Sequence, residues 1–232
     1  PPPPPPEPGL VTWEVSSSFN WSMSDNLMTA AANSRTEVLA IIDYSASWAS
    51  NCGGNTKCPP SNPSDFASFA VAVVQRYGKG GGFWASHPAL PPSPVSTIEV
   101  WNEPYGYWDW APNPDPAAYA RLARATAVAV HTYQPSVTVL ASGDVLQVRT
   151  DGAIVNWLQS VIASDPTLNQ VINAWSVHPY PSSRDFGPKV NRSDPRWDYG
   201  RIAITHQVDP SLPIWIPQAG SSPATHGVDS GD

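Results

Sequence analysis

Charge is scarce in this 232-residue chain: Asp, Glu, Lys and Arg together make up 13%, about half of the roughly 25% usual in soluble domains. The twelve basic residues are outnumbered by nineteen acidic ones, for a net charge of −7, and they form no stripe. A nucleic-acid partner is therefore not expected. No apolar run approaches the roughly 18 residues of a membrane-spanning helix, so no membrane partner is expected either. The histidines His87, His131, His178, His206 and His226 are scattered, with no His-Glu-x-x-His or other paired ligand spacing, and no metal or other cofactor is expected. There is no Gly-x-Ser-x-Gly nucleophile elbow. The run Gly80-Gly81-Gly82 lacks the following Lys-Ser/Thr of a phosphate loop and reads as flexibility.

What is abundant is proline and tryptophan, 28 and 11 residues. Residues 1–9 open with the polyproline tract Pro1 to Pro6 and read as a linker or disordered tail; residues 221–232 read as a second polar tail. Between them, 10–220 is long enough for one domain with a sizeable core, expected as a monomer. The two cysteines stand in Cys52-Gly-Gly-Asn-Thr-Lys-Cys58. A metal needs about four ligands, and the loop holds no histidine or further cysteine. A disulfide closing a small loop is expected, which implies an oxidising compartment and a secreted protein.

The spacing predicts a strand over 10–15, then a helix capped by Ser22 or Ser24 and running to about Asn33. Glu37 to Asp43, continuously apolar, reads as a buried parallel strand. Ser64 is a candidate cap for a helix with Phe66, Phe69, Ala70, Val73, Val74 and Tyr77 on one face, ended by Gly78. A loop is predicted over 79–94. Asp115-Pro116 is a good start, cap then proline, for a helix to about Tyr133. Val137 to Ala141 reads as a strand, Asp151 to Ala163 as a helix and Ile172 to Val177 as a strand. Trp197 to Val208 follows as a short helix and Pro213 to Ile216 as a last strand. Five strands with a helix in each interval imply a parallel sheet with right-handed crossovers.

The most informative stretch is Thr97-Ile98-Glu99-Val100-Trp101-Asn102-Glu103-Pro104-Tyr105. A β-branched run delivers Glu103 to the C-terminal edge of its strand, where α/β barrels and open α/β sheets keep their chemistry. Beside Trp101, Tyr105, Tyr107, Trp108 and Trp110, this carboxylate is expected to be partly desolvated, which favours the protonated form and suits a general acid. The alternative is a strand ending in a solvated acidic turn.

Trp101-Asn102-Glu103-Pro104 after a hydrophobic strand resembles the acid/base motif of the retaining clan-A (β/α)8 glycoside hydrolases, most of all the cellulase-type and β-xylosidase-type families. Val38 to Tyr44, followed by Ser47-Trp48-Ala49, is similar to their third strand and its loop, and Trp175-Ser-Val-His178-Pro-Tyr180 to their sixth. The resemblance runs from about Asn20 to Gly220 and implies a TIM-barrel-type α/β fold. With six strands at most against the eight of a closed barrel, it implies an incomplete barrel: about strands 2–7 present, strand 8 missing, and exposed strand edges unless other segments cover them.

Retaining hydrolysis needs two carboxyl groups about 5–5.5 Å apart, an acid/base and a nucleophile. The resemblance makes Glu103 the acid/base. In those families the nucleophile is a glutamate ending the seventh strand. The matching stretch here is Pro213-Ile-Trp-Ile-Pro217-Gln218-Ala-Gly220, so Gln218 occupies the nucleophile's place. An amide is uncharged and a very poor nucleophile, so weak or absent turnover is expected. Gln218 can be an engineered trap, a natural dead enzyme or drift in a truncated copy. With 2-acetamido sugars, the substrate's own amide can attack instead.

The resemblance further implies that Asn102 binds the sugar 2-hydroxyl and that His178 and Tyr180 line the scissile bond. It places Asp43, Tyr44 and Trp48 on the glycone side, although Trp48 can equally be core, and offers Trp108 and Trp110 as stacking platforms. The family's eighth-strand tryptophan has no counterpart. The partner implied is an oligosaccharide or polysaccharide, its identity and linkage left open because specificity lies in the loops. Two other roles remain: a glycan-binding pseudo-hydrolase, and an inactive structural fragment.

Overall fold

A computed structural model describes residues 12–15, 18–148, 154–179 and 198–219. The expectations for 1–9, 221–232, Tyr180, Trp197 and Gly220 lie outside these residues. In chain order the elements are β1 (Thr12–Val15), β2 (Ser18–Asn20), α1 (Ser22–Ser34), β3 (Leu39–Ile42), α2 (Pro63–Tyr77), α3 (Gly82–Ser86) and β4 (Thr97–Val100). They continue as α4 (Pro116–Tyr133), β5 (Thr138–Ser142), β6 (Gln147–Val148), β7 (Ile154–Val155), α5 (Trp157–Ser164), β8 (Ala174–Ser176), α6 (Asp198–Val208) and β9 (Ile214–Trp215).

Five strands form one parallel sheet in the order β3-β4-β5-β8-β9. Spatial order follows chain order, so every right-handed crossover steps the same way and the helices gather on one face. Helices α2, α4, α5 and α6 accordingly pack side by side in that sequence. A doubly wound sheet would reverse its order at a switch point; this one does not. The fold is α/β of the (β/α)-barrel type. The first predicted strand does not join it: β1 and β2 form a separate antiparallel hairpin.

Local chemistry explains most boundaries, including several that differ from expectation. Asp115 caps α4 as predicted, its carboxylate accepting from the backbone N–H groups of Ala117 and Ala118 at 3.0 and 2.9 Å. The cap of α2 is Asn62 rather than Ser64, because Pro63 takes the first helical position and Asn62 Oδ1 accepts from Ser64 N. At α1 the side chain of Asn20 accepts from Ser22 N, while Ser24 turns inward onto the Tyr77 hydroxyl at 2.7 Å. Ile154 pairs in the β6–β7 hairpin, so α5 starts only at Trp157, capped by Asn156. The loop predicted over 79–94 contains α3, which buries Phe83 and Trp84. Gly78 ends α2 by turning extended (ψ −178°), a position where a Cβ would lie 2.5 Å from the Val74 carbonyl oxygen.

The core lies between sheet and helices. Ile98 and Val100 of β4, Val139 and Ala141 of β5 and Trp175 of β8 meet Phe66, Phe69 and Val74 of α2, Tyr119 and Leu122 of α4, and Trp157 and Leu158 of α5. Burying each of the aliphatic and Phe side chains is worth roughly 1.5–3 kcal/mol. Strand β3 is parallel as predicted but only half-buried apart from Ile42, because it is one edge of the described sheet. At the other edge, Trp215 and Ile216 are exposed.

Where the β4–β5 ladder opens at its C-terminal end, the buried Tyr119 hydroxyl substitutes for the next rung. It donates to the Val100 carbonyl at 3.0 Å and accepts from Ser142 N at 2.6 Å. Two backbone groups that would otherwise be orphaned are thereby paired, and the strands can splay toward the rim. The expected disulfide Cys52–Cys58 is formed, with a Cα–Cα distance of 6.1 Å, and it closes the loop after β3.

Candidate active site

The parallel register brings four predicted site residues to one rim. Asn102 and Glu103 follow the C-terminal end of β4, His178 that of β8 and Gln218 that of β9. Trp101 and Glu103 both take positive φ, 65° and 42°, a conformation that costs roughly 1–2 kcal/mol for a residue with a Cβ. Strain of this kind gathers where surrounding structure over-determines it. Here Trp101 is fully buried, its ring against Tyr44, Phe66 and Trp110 and its Nε1 donating to the Asp109 carbonyl at 2.8 Å.

Asp109 is the node beneath the rim, 7% exposed. Its carboxylate accepts from the Tyr44 hydroxyl at 2.6 Å, from Lys57 Nζ at 3.0 Å and from Asn102 Nδ2 at 2.8 Å. With its nitrogen thus committed, Asn102 presents Oδ1 on the other side, where it accepts from Gln218 Nε2 at 3.2 Å. Asn102 and Gln218 are in direct contact across β4 and β9. Tyr44 is held at this node, and burial followed by the Asp109 carboxylate raises the pKa of its hydroxyl. Asp43 is half-buried beside it.

Glu103 is also surrounded by donors. Trp108 Nε1 donates to its Oε2 at 2.9 Å, and His178 Nδ1 faces its Oε1 at 3.4 Å. The indole can lie there because of Gly106, at which a Cβ would sit 2.2 Å from the Trp108 ring. The expected protonated acid is therefore corrected. Burial does push the Glu103 pKa up, but the nearby His178 imidazole and the Trp108 N–H outweigh it and hold the carboxyl below the usual range. The aromatic surroundings supply hydrogen-bond donors as well as apolar surface.

His178 is buried and bridges two carboxylates. Its Nε2 lies 3.0 and 3.2 Å from the two oxygens of Glu99, while Ser176 Oγ donates to Glu99 at 2.5 Å. Burial disfavours the imidazolium, but Glu103 and Glu99 outweigh it and raise the His178 pKa from 6.5 to about 9. The two carboxylates thus favour the charged form of the ring at neutral pH. Further along the rim Asp144 is fully buried; burial raises its pKa, against the pull of Arg201, whose Nη1 is 3.6 Å from Asp144 Oδ2.

Trp110 is 1% exposed and belongs to the core, so it is not a stacking platform. Its ring fills the gap between Trp101 and Tyr119. Trp48 is exposed rather than core, at 44%, and Trp108 and Tyr107 also present surface to solvent. Tyr180 lies outside the described residues. Glu99, Asp109, Gly106, Ser176 and Asp144 were not singled out in sequence. Of these only Glu99 carried a signal: strand alternation sets Thr97 and Glu99 on the face opposite Ile98 and Val100. Among the described residues, no group of three His, Cys, Asp or Glu side chains could hold a metal ion.

No protein-family model matches this chain, and no curated protein is similar to it in sequence. Solved structures are similar in fold. A monomeric β-xylosidase from Caulobacter crescentus CB15 aligns at a TM-score of 0.60 and 16% identity over 91% of this chain and 43% of its own. The family 39 glycoside hydrolase from Xanthomonas axonopodis pv. citri aligns at 0.57 and 20% identity, covering 93% of this chain and 43% of its own. One from the gut symbiont Bacteroides cellulosilyticus WH2 gives 0.55 and 16% over 89% and 41%. The chain thus spans well under half the length of these structures, all of them glycoside hydrolases, and the likeness is one of fold.

Proposed function

We propose that this chain is a glycoside hydrolase-type domain of the retaining (β/α)-barrel lineage that binds β-linked xylo- or gluco-oligosaccharides and, as its sequence stands, cleaves them weakly. Glu103 is the acid/base, Asn102 the ligand of the sugar 2-hydroxyl, and Gln218 stands in the nucleophile's place. The observation that carries this reading is the hydrogen bond from Gln218 to Asn102, the neighbour of Glu103, across the rim of the sheet. Fold likeness to xylosidases supports the substrate class, and the disulfide supports a secreted protein.

Chemically, Glu103 would donate its proton to the departing glycosidic oxygen and later take one from the incoming water. The attacking role falls to residue 218, and there the amide fails. Binding is less affected, because the exposed Trp48, Tyr107 and Trp108 offer aromatic faces for sugar rings. Those three side chains favour the second role, glycan binding without efficient cleavage.

Two measurements on the full chain test this. Calorimetry against xylo-, cello- and chito-oligosaccharides should show binding to one of the first two. Activated aryl β-glycosides, whose leaving groups need little protonation, should be turned over at least a hundredfold faster by Gln218→Glu than by the wild type. No binding and no gain in Gln218→Glu would leave only the structural-fragment role.

A further inference from the structure

Glu99 is a carboxylate in the middle of a strand, 1% exposed, and it reaches toward the rim through His178. Leaving a carboxylate so deep is costly unless its oxygens are paired. Ser176 and His178 pair them, and the second nitrogen of the imidazole is thereby aimed upward. His178 Nδ1 is itself buried and makes no well-aligned hydrogen bond, yet it faces Glu103 Oε1 at 3.4 Å. The three groups form a line from the interior of the sheet to the rim: Glu99, His178, Glu103.

We propose that Glu99 is a positioning residue which keeps a proton stored on His178, so that this imidazole, rather than Glu103, holds the catalytic proton between turnovers. The inference rests on the reading of Glu103 as the acid/base. Arrival of a glycoside strips water from Glu103 and favours its neutral form. The Nδ1–H bond of His178 then breaks, its electron pair stays on Nδ1, and an O–H bond forms at Glu103 Oε1. Only about 0.5 Å of closure is needed to reach ordinary hydrogen-bond length. Nε2–H remains on Glu99, which fixes the tautomer of the now neutral ring. Glu103 passes the proton to the departing oxygen, and in the second half of the reaction it takes one from water and returns it to Nδ1. Protons balance over the cycle.

Other charges facing the ring belong in the account. Asp144, on the loop after β5, attracts the imidazolium. Arg201 of α6 donates through Nη1 to the His178 carbonyl at 3.4 Å and sits beside Asp144, so it largely cancels that charge. The Tyr105 hydroxyl also acts on Glu103 and favours its charged form. Glu99 and Glu103 are thus the two carboxylates against the ring, and the proton's residence depends on both.

Nitrogen-15 spectra of the histidine rings in the wild-type chain give the first test. At pH 7.5 both nitrogens of His178 should be protonated, with a midpoint near 9; a neutral ring there overturns the proposal. In Glu99→Gln the midpoint should fall at least tenfold in proton affinity, and an unchanged midpoint in a folded variant also overturns it. Neither reading needs turnover, so both hold even if the chain proves unable to cleave glycosides. In the Gln218→Glu background, the alkaline limb of kcat/KM should track the His178 midpoint and move to lower pH with Glu99→Gln. A limb that ignores the substitution means that Glu99 has a structural role only.

Discussion

Replacing Asp109 by alanine removes the acceptor on which the underside of the rim converges. Three donors lose an acceptor: the Tyr44 hydroxyl, Asn102 Nδ2 and Lys57 Nζ, the last of which keeps its bond to the Trp108 carbonyl at 2.6 Å. The lysine side chain is 45% exposed and keeps the Trp108 carbonyl, so losing the ion pair costs at most about 1 kcal/mol. Tyr44 and Asn102 are partly buried, and a hydrogen bond to a charged group contributes roughly 1.5–3 kcal/mol. Neighbouring bonds are not additive, so the expected loss is about 3 kcal/mol. For a chain of this size that lowers Tm by about 6–12 °C. Urea unfolding should show a lower midpoint with an unchanged slope. Asp109→Asn, which keeps an acceptor of the same shape, should lose about half as much. Tyr44→Phe should cost little more once Asp109 is gone. A loss below about 1 kcal/mol in Asp109→Ala would falsify the idea that this carboxylate organises the rim.

Gly106→Ala should push the Trp108 ring away and deprive Glu103 of an N–H donor. Carbon-13 titration of the Glu103 carboxyl should then show its pKa rising toward the ordinary value, with glycan binding weakened severalfold. The Arg124 guanidinium holds the Asp165 carboxyl below its usual range, so this pair contributes stability that is complete above about pH 4 and lost as pH falls through the lowered pKa. Thermal melts between pH 2 and 7 should therefore show a shallower acid limb in Asp165→Asn. Its cost at pH 7 should be at most about 1 kcal/mol, given the exposure of the pair.

Helix α4 was legible to the residue, because Asp115-Pro116 combines a side-chain acceptor with a proline where no N–H is needed. The face of α2 was equally plain from its spacing: all six predicted residues are buried, joined only by Ala67. The parallel sheet followed from alternation of strand and helix. What failed to show was whatever depends on contacts between distant segments. The hairpin of β6 and β7 pulls Ile154 out of a helix that its local pattern supports. The aromatic-rich loop after Glu103 reads alike for Trp108 and Trp110, yet one reaches the carboxylate and the other fills the core. Asp109 lies between those two tryptophans in the chain. Its role is visible only when Tyr44, from a loop more than sixty positions away, arrives on it.

The direction of hydrogen bonding along Asp109, Asn102 and Gln218 bears on why an amide stands at 218. Asp109 is anionic and accepts only, so it fixes the Asn102 side chain with Nδ2 inward and Oδ1 toward residue 218. A donor is then required opposite Oδ1, and Gln218 Nε2 supplies one. A carboxylate at 218 would set acceptor against acceptor. Rotating the Asn102 amide merely moves the clash to Asp109, where it meets a full charge. Glutamate at 218 is therefore accommodated at a cost in stability, as the Asn102 contact is lost or rearranged, and that cost accompanies its gain in nucleophilicity. The amide at 218 is thus a fitted member of this network.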